Sequence, residues 1–157
     1  MIVPCVSPLR LGEPVAFQRI GFCELRADIG REITDFLIQG GTDFLRSDPE
    51  YDMGITGAMK IAHLGEAFGI DVEVHACGPA HRHCMAAMRN SNYYEVALVG
   101  PDTPNAVPPV YQCGYSDQLD CIDRDGCVGV PTGPGLGVQY DWGLIARNRI
   151  ALHEFKL

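Results

Sequence analysis

Four ionisable residues recur along the chain at the spacing of successive strand–helix units. Glu24, Asp48, His75 and Glu95 are separated by 24, 27 and 20 residues, and each lies at or near the C-terminal end of an extended run. Carboxylates and imidazoles are the side chains that proteins use for general acid–base chemistry, and carboxylate oxygens also bind hard metal ions. The spacing therefore predicts a site in which each of four βα units contributes one such group.

The elements between these residues predict a parallel α/β sheet. Three helices are expected, from the N-cap Asp28 to Gly40-Gly41, from the N-cap Thr56 to Gly69, and from Pro79 to about Asn90. Their inward faces are predicted to hold Ile29, Ile33, Phe36 and Leu37 in the first helix and Ala58, Ile61, Ala62, Gly65 and Phe68 in the second. Strands are expected at 15–22, 42–47, 70–74 and 93–94. This alternation implies right-handed βαβ units.

The C-terminal ends of parallel strands in a barrel converge on one mouth, where active sites form. A single carboxylate at a strand end is more often a helix cap, and a lone histidine is more often structural. Four such groups in phase favour a functional site over those separate explanations.

Several segments also resemble a known family. The segment from Ser47 to Thr56 (SDPEYDMGIT), the helix that follows it and His75 resemble the sixth and seventh strands of the mandelate racemase and muconate-lactonising branch of the enolase superfamily. GVPTGPGLGVQYDW, from Gly129 to Trp142, is similar to that family's C-terminal signature. Within the branch, VHACGPAHRHCMAAMRNSNYYE most resembles acid-sugar dehydratases. The resemblance covers about residues 20–150 and implies a partial (β/α)8 TIM barrel, about the fifth to eighth strands, with a C-terminal extension.

The resemblance also implies a role for each of the four residues. His75 is the general acid/base, and Asp48 accepts a hydrogen bond from its other ring nitrogen. Glu95, protonated or sharing a proton, bonds a carboxylate oxygen of the enediolate. Glu24 is the last of three carboxylate ligands to Mg²⁺, which acts as a Lewis acid on the substrate carboxylate. The implied function is Mg²⁺-dependent dehydration of a sugar acid by a hydro-lyase, with racemisation or cycloisomerisation as the alternative.

The metal ligand departs from the family pattern. Cys23 precedes Glu24 where the family usually has glycine. Glu13 does follow a glycine, Gly12, but leaves 35 residues to Asp48, too many for one βα unit. Glu24 is therefore preferred.

The length also departs from the family. A complete barrel needs roughly 250 residues, and this chain has 157. The first two metal ligands and the lysine of the family's second strand have no counterpart. We expect an N-terminal segment (1–23), enolase-type βα units (24–100) and a loop-rich extension (101–157). We expect the chain to be inactive without a missing N-terminal barrel half or capping domain, or to be a catalytically dead remnant that binds a partner.

Composition excludes several other classes of function. The net charge is −8, the isoelectric point is about 4.9, and no Lys/Arg cluster stands out, which argues against nucleic-acid and anionic-membrane surfaces. No stretch approaches the roughly 20 apolar residues of a membrane span. Seven cysteines without a repeating spacing are typical of reduced thiols in a cytoplasmic protein. Open strand edges favour a homo-oligomer.

Three alternative sites remain open at this stage. Cysteines and histidines that suit a structural zinc ion are Cys77, His81, His83 and Cys84, with Cys121 and Cys127 further along. The glycines at 133, 135 and 137 suggest a phosphate loop, although Pro134 removes a backbone donor and a rigid turn is the favoured interpretation. Cys77 is also a candidate nucleophile beside His75. If the barrel interpretation holds, His81 or His83 is placed to contact substrate.

Overall fold

Helices and strands alternate through most of the residues that the computed structural model describes, which are 2–4, 20–21, 29–96 and 110–154. In chain order the elements are β1 (Ile2–Pro4), β2 (Ile20–Gly21), α1 (Ile29–Ile38), β3 (Phe44–Ser47), α2 (Gly54–Ala67), β4 (Val72–Val74), α3 (Pro79–Ala87), β5 (Cys127–Gly129) and α4 (Trp142–Asn148), with a 3-10 turn at Leu119–Cys121. Within those ranges, no helix combines the length and the apolar character that a bilayer crossing needs.

Strands β2, β3 and β4 form one parallel sheet in sequential order, as predicted. A single apolar cluster joins this sheet to both connecting helices: Ile33 and Leu37 of α1, Leu45 of β3, Ile61 of α2 and Val72 of β4. Because α1 and α2 cover the same face, the sheet is singly wound. The mixed α/β class and the parallel order are therefore confirmed.

The predicted inward faces of the helices are largely correct. Ile33 and Leu37 in α1, and Ala58, Ile61, Ala62 and Gly65 in α2, are buried. Phe36 and Phe68, by contrast, are 38 % and 42 % exposed. Asp28 and the side chain of Ile29 lie outside the described residues.

Helix α2 starts earlier than predicted. It begins at Gly54, and its N-cap is Met53 in a left-handed conformation, φ 62°, with no side-chain cap. Thr56 therefore lies inside the first turn, and the prediction that it caps the helix was wrong. The chain enters α2 directly from the tight turn after β3, without a side-chain cap.

The strand predicted at Tyr93 and Tyr94 does not form, and α3 ends at Ala87, short of Asn90. Side-chain and backbone bonds join the segment after α3 to α2, to β4 and to the residues before β4: the backbone N–H of Val72 donates to the carbonyl oxygen of Asn90. Asn90 donates from its amide to the carbonyl oxygens of Ala62 and Ile70, and the backbone N–H of Tyr93 donates to Glu73. A backbone ladder at 93–94 is thereby replaced by bonds that the local β-propensity of two tyrosines does not reveal.

The C-terminal extension packs against the βα units. Strand β5 pairs antiparallel with β1, and its central residue Val128 is fully buried in a cluster with Val74 of β4 and Met85 of α3. Within the described part of the extension, the regular elements are β5, α4 and the 3-10 turn. No disulfide joins the cysteines of the described ranges.

A buried ion pair holds this extension in place. The guanidinium of Arg82 on α3 bonds Asp117 Oδ1 at 2.7 Å and the carbonyl oxygen of Gly129 at 2.8 Å, and it lies over the rings of Tyr94 and Tyr115. Burial alone would lower the pKa of Arg82, but its hydrogen bonding to Tyr94 and the charges around it raise that pKa overall. Burial and bonding to Asp117 raise the pKa of both tyrosines, so their hydroxyls stay protonated and donate to Asp117.

Substitution Asp117→Asn is expected to lower the free energy of unfolding by about 3 kcal/mol, because Arg82 would keep a buried charge without its counter-ion. Chemical denaturation measures the loss. Asp125→Asn is the matched control, since its contact with Arg124 is 3.8 Å long and lies in solvent. Equal losses in the two variants would contradict this role for Asp117.

Substitution Gly57→Ala tests the packing of α2 against the turn that precedes it. A Cβ at Gly57 would lie 1.5 Å from the carbonyl oxygen of Asp52, so the turn must move. We expect a destabilisation of roughly 2 kcal/mol despite the better helix propensity of alanine. Gly129→Ala is the control, because a Cβ there meets nothing within 4 Å. A gain in stability for Gly57→Ala would overturn this description of the turn.

Candidate active site

Asp48 and His75 lie side by side at the C-terminal edge of the parallel sheet. The register pairs Ser47 with Val74, so the residue after each strand reaches the same edge. The backbone N–H of His75 donates to the carbonyl oxygen of Ser47 at 2.7 Å and extends the pairing by one residue. Nδ1 of His75 is 3.0 Å from Oδ2 of Asp48. The structure thus brings together the two residues of the predicted dyad.

The turn after β3 fixes the Asp48 carboxylate. Asp48 is 5 % exposed, and its Oδ1 accepts the backbone N–H of Glu50 at 2.7 Å. Its own backbone N–H donates to Oδ2 of Asp52 at 2.6 Å. Bonds to both the carboxylate and the backbone of Asp48 restrict its rotamer, so Asp48 is suited to orient a neighbouring imidazole.

His75 is the more exposed member of the pair, with 39 % of its side chain in solvent. Because the carboxylate can only accept, Nδ1 of the neutral ring carries the hydrogen and Nε2 carries the lone pair. The next residue, Ala76, has φ 62°, a left-handed conformation that costs a non-glycine residue on the order of 1 kcal/mol. This sharp change of direction ends β4 and leaves the imidazole at the open edge.

Glu95 reaches the same edge through Ala76. Its Oε2 accepts the backbone N–H of Ala76 at 2.7 Å and Nη2 of Arg46 at 2.6 Å. In both bonds the carboxylate oxygen is the acceptor. The protonated or proton-sharing Glu95 that the family resemblance implied stays a prediction.

Sequence reasoning missed Arg46, although a signal was present. Arg46 lies on β3, two positions before Asp48, which directly follows the strand, and residues two apart along an extended chain share a face. This cation therefore lies at the site edge of a chain whose net charge is −8.

The two histidines of α3 lie in different environments. His81 is buried, with its Nε2 3.2 Å from Oδ1 of Asp48. Nε2 of His83 lies 3.2 Å from the carbonyl oxygen of Leu136. Because His81 is enclosed and His83 is engaged by the extension, direct contact of either ring with substrate at the open edge is not favoured.

The alternative sites receive no support from the structure. In the described ranges, no three His, Cys, Asp or Glu side chains are grouped so as to hold a metal ion, so the zinc cluster is not formed. The glycines at 133–137 form a turn in which the N–H of Gly137 donates to Pro134, as the rigid-turn interpretation expected. Cys77 packs against the apolar cluster of α2 and α3, an environment typical of an unreactive thiol.

The predicted magnesium ligand, Glu24, lies outside the described residues, as does its rival Glu13. The described side chains do not by themselves supply the set of oxygen ligands that Mg²⁺ requires. The acid–base groups of the site are thus described, whereas its metal ligands are not.

Three similar proteins are named as sugar-acid dehydratases. The chain is 29 % identical over 108 residues to a putative L-rhamnonate dehydratase from Caldivirga maquilingensis, a match that covers 69 % of this chain and 26 % of that protein. It is 28 % identical over 125 residues to D-gluconate dehydratase from Thermoproteus tenax, covering 76 % and 23 %. The crystal structure of D-glucarate dehydratase from Agrobacterium tumefaciens, complexed with magnesium, superposes with a TM-score of 0.68 at 31 % identity and covers 85 % of this chain and 34 % of that one.

The chain spans between about a quarter and a third of the length of these relatives. The magnesium in the Agrobacterium structure agrees with the metal that the resemblance implied. The family model described as enolase C-terminal domain-like matches residues 26–144, which include the dyad and most of the extension. The chain therefore belongs to the enolase C-terminal domain-like family of the enolase superfamily.

Proposed function

We propose that this chain is the C-terminal part of a magnesium-dependent sugar-acid dehydratase and that it carries the acid–base dyad of the active site. The observation that carries the proposal is the pairing of the half-exposed His75 with the buried Asp48 at the C-terminal edge of a parallel sheet. The dehydratase names of the relatives favour dehydration over racemisation or cycloisomerisation, which the same dyad can serve.

The dyad performs the proton transfers in this proposal. Nε2 of His75 removes the proton from the carbon next to the substrate carboxylate, which leaves an enediolate. The imidazolium that forms gives Nδ1–H a charge-assisted bond to Asp48, whose negative charge stabilises it. His75 then returns the proton to the β-hydroxyl as it departs as water. One residue thus serves as base and then as acid, while the carboxylate keeps its ring in position.

Arg46 and Glu95 form the polar wall beside the dyad. We place Glu95 in the role of orienting a substrate oxygen, and its bond to Ala76 ties it to the turn that carries His75. The Arg46 guanidinium offsets part of the negative field that an anionic substrate meets in an acidic protein. A sugar acid entering this edge could also compete with Glu95 for Arg46, which would free Glu95 to share a proton.

The remainder of the site belongs, in this proposal, to the part of the barrel that the chain does not span. We propose that the three sequential parallel strands, with α1 and α2 on one face, belong to the stretch of a (β/α)8 barrel between about its fifth and eighth strands. Glu24 would be one ligand to magnesium, which when bound stabilises the negative charge that develops on the substrate carboxylate. A barrel half or a capping domain from a partner would supply the other ligands. Open strand edges also favour self-association.

The proposal is tested by measuring, with NMR, the exchange of the substrate α-proton for deuterium in D₂O that contains Mg²⁺. The substrates are L-rhamnonate, D-gluconate and D-glucarate. The full chain is assayed alone and with the complementary N-terminal portion of the Agrobacterium enzyme. We expect exchange only in the mixture. His75→Asn and Asp48→Asn should each reduce it by at least about 100-fold, because both remove acid–base catalysis.

His63→Gln is the matched control, since His63 is an exposed histidine on α2. Circular dichroism establishes that all variants remain folded. Exchange retained in both dyad variants would remove the assignment of the dyad. Absence of exchange in every combination would instead support a remnant that only binds a partner.

A further inference from the structure

Asp48 lies between two imidazoles, only one of which the proposed chemistry uses. His75 contacts Oδ2, and His81, from the first turns of α3, contacts Oδ1 at 3.2 Å. Their exposures differ greatly, because 39 % of the His75 side chain but only 3 % of the His81 side chain is accessible to solvent. The two rings therefore meet the same carboxylate from different environments.

The surroundings of the two ring nitrogens of His81 favour one tautomer. Its Nδ1 is buried and has no hydrogen-bond partner among the described residues. A cationic ring would bury an unpaired N–H there, which is costly, whereas a neutral ring leaves only a lone pair. The hydrogen of the neutral ring then resides on Nε2, the atom that faces Asp48. His81 is thus a donor to the carboxylate.

Gly78 leaves the space that this arrangement needs. It has φ 156°, and a Cβ at this position would lie 2.9 Å from Nδ1 of His81. Any larger residue would press on the ring and move Nε2 relative to Asp48. The turn that leads into α3 is therefore shaped around the buried imidazole.

We propose that His81 is a positioning residue: a buried neutral imidazole that donates from Nε2 to Oδ1 of Asp48 and holds Oδ2 towards His75. Together with the N–H of Glu50, it occupies Oδ1 and leaves Oδ2 for the reactive ring. Being neutral, it orients the carboxylate without cancelling the charge that stabilises the His75 imidazolium. Its catalytic significance rests on the proposed function, whereas its tautomer and its effect on His75 do not.

The test is ¹⁵N NMR of the histidine rings in the full chain, at a pH where His75 is neutral. We expect His81 to carry hydrogen on Nε2 alone and His75 to carry it on Nδ1 alone. In His81→Phe, which keeps a planar aromatic ring but removes the donor, the Asp48 carboxylate can rotate. The two ring ¹⁵N signals of His75 should then move towards each other as its tautomers mix.

His81→Gln provides the rescue, because its side-chain amide can place a donor near the position of Nε2. We expect the His75 signals to return towards those of the native chain in this variant and to stay unchanged in the control His63→Gln. Hydrogen on Nδ1 of His81, or unchanged His75 signals in a folded His81→Phe, would overturn the proposal. If His81→Phe does not fold, the native tautomers and His81→Gln still decide it.

This measurement needs no turnover. If the chain catalyses no α-proton exchange with any added N-terminal portion but shows the expected tautomers, the proposed function is refuted and the positioning of Asp48 stands. The reverse outcome, exchange with the wrong tautomer of His81, would refute the positioning role alone.

Discussion

The site depends on the register between β3 and β4. Pairing of Ser47 with Val74, and the bond from the His75 N–H to Ser47, set the next residues of the two strands against each other. A slip of one residue would turn either side chain to the opposite face of the sheet. The burial of Leu45 and Val72 beneath α1 and α2 opposes such a slip, since it would expose the buried residue of the strand that moves. The apolar packing of the helices therefore positions the polar atoms at the sheet edge.

Electrostatics then gives each charged group at that edge a separate task. Asp48 is buried and is compensated by directed donors, so its charge is fixed in place. The pair between Arg46 and Glu95 is much more exposed, and an ion pair of that kind contributes less than about 1 kcal/mol to stability. Its importance is geometric, because it determines which atoms of Glu95 remain available to a ligand. The buried pair of Arg82 and Asp117 serves instead to join the extension to α3.

Much of this framework was predictable because local patterns determine it. Helical periodicity gave the inward positions of α1 and α2, and strand ends one βα unit apart placed Asp48 and His75 at one edge. The inward helix positions follow from the pattern of residues close together in the sequence. The shared edge follows from the general rule that the C-terminal ends of parallel strands converge. The family resemblance supplied the chemistry, which the spacing alone does not specify.

The features that sequence reasoning missed depend on tertiary contacts. The Arg46–Glu95 pair joins residues 49 positions apart, and the His81–Asp48 contact joins residues 33 apart. No strand forms at 93–94, where the backbone N–H of Tyr93 donates to the carboxylate of Glu73, 20 positions away. The two ion-pair contacts and this bond are decided by which partner lies nearby in space, which sequence spacing alone does not specify. Helix α2 starts at a left-handed Met53 where a side-chain cap was expected at Thr56, so its start is set by the backbone of the preceding turn.

The interaction between Asp48 and His75 is tested most directly by a double-mutant cycle on the unfolding free energy, using Asp48→Asn, His75→Ala and the combined variant. We expect a favourable coupling of about 1 kcal/mol, as for side chains in direct hydrogen-bonding contact. A coupling indistinguishable from zero in folded variants would contradict it, because the two side chains would then not meet at the sheet edge.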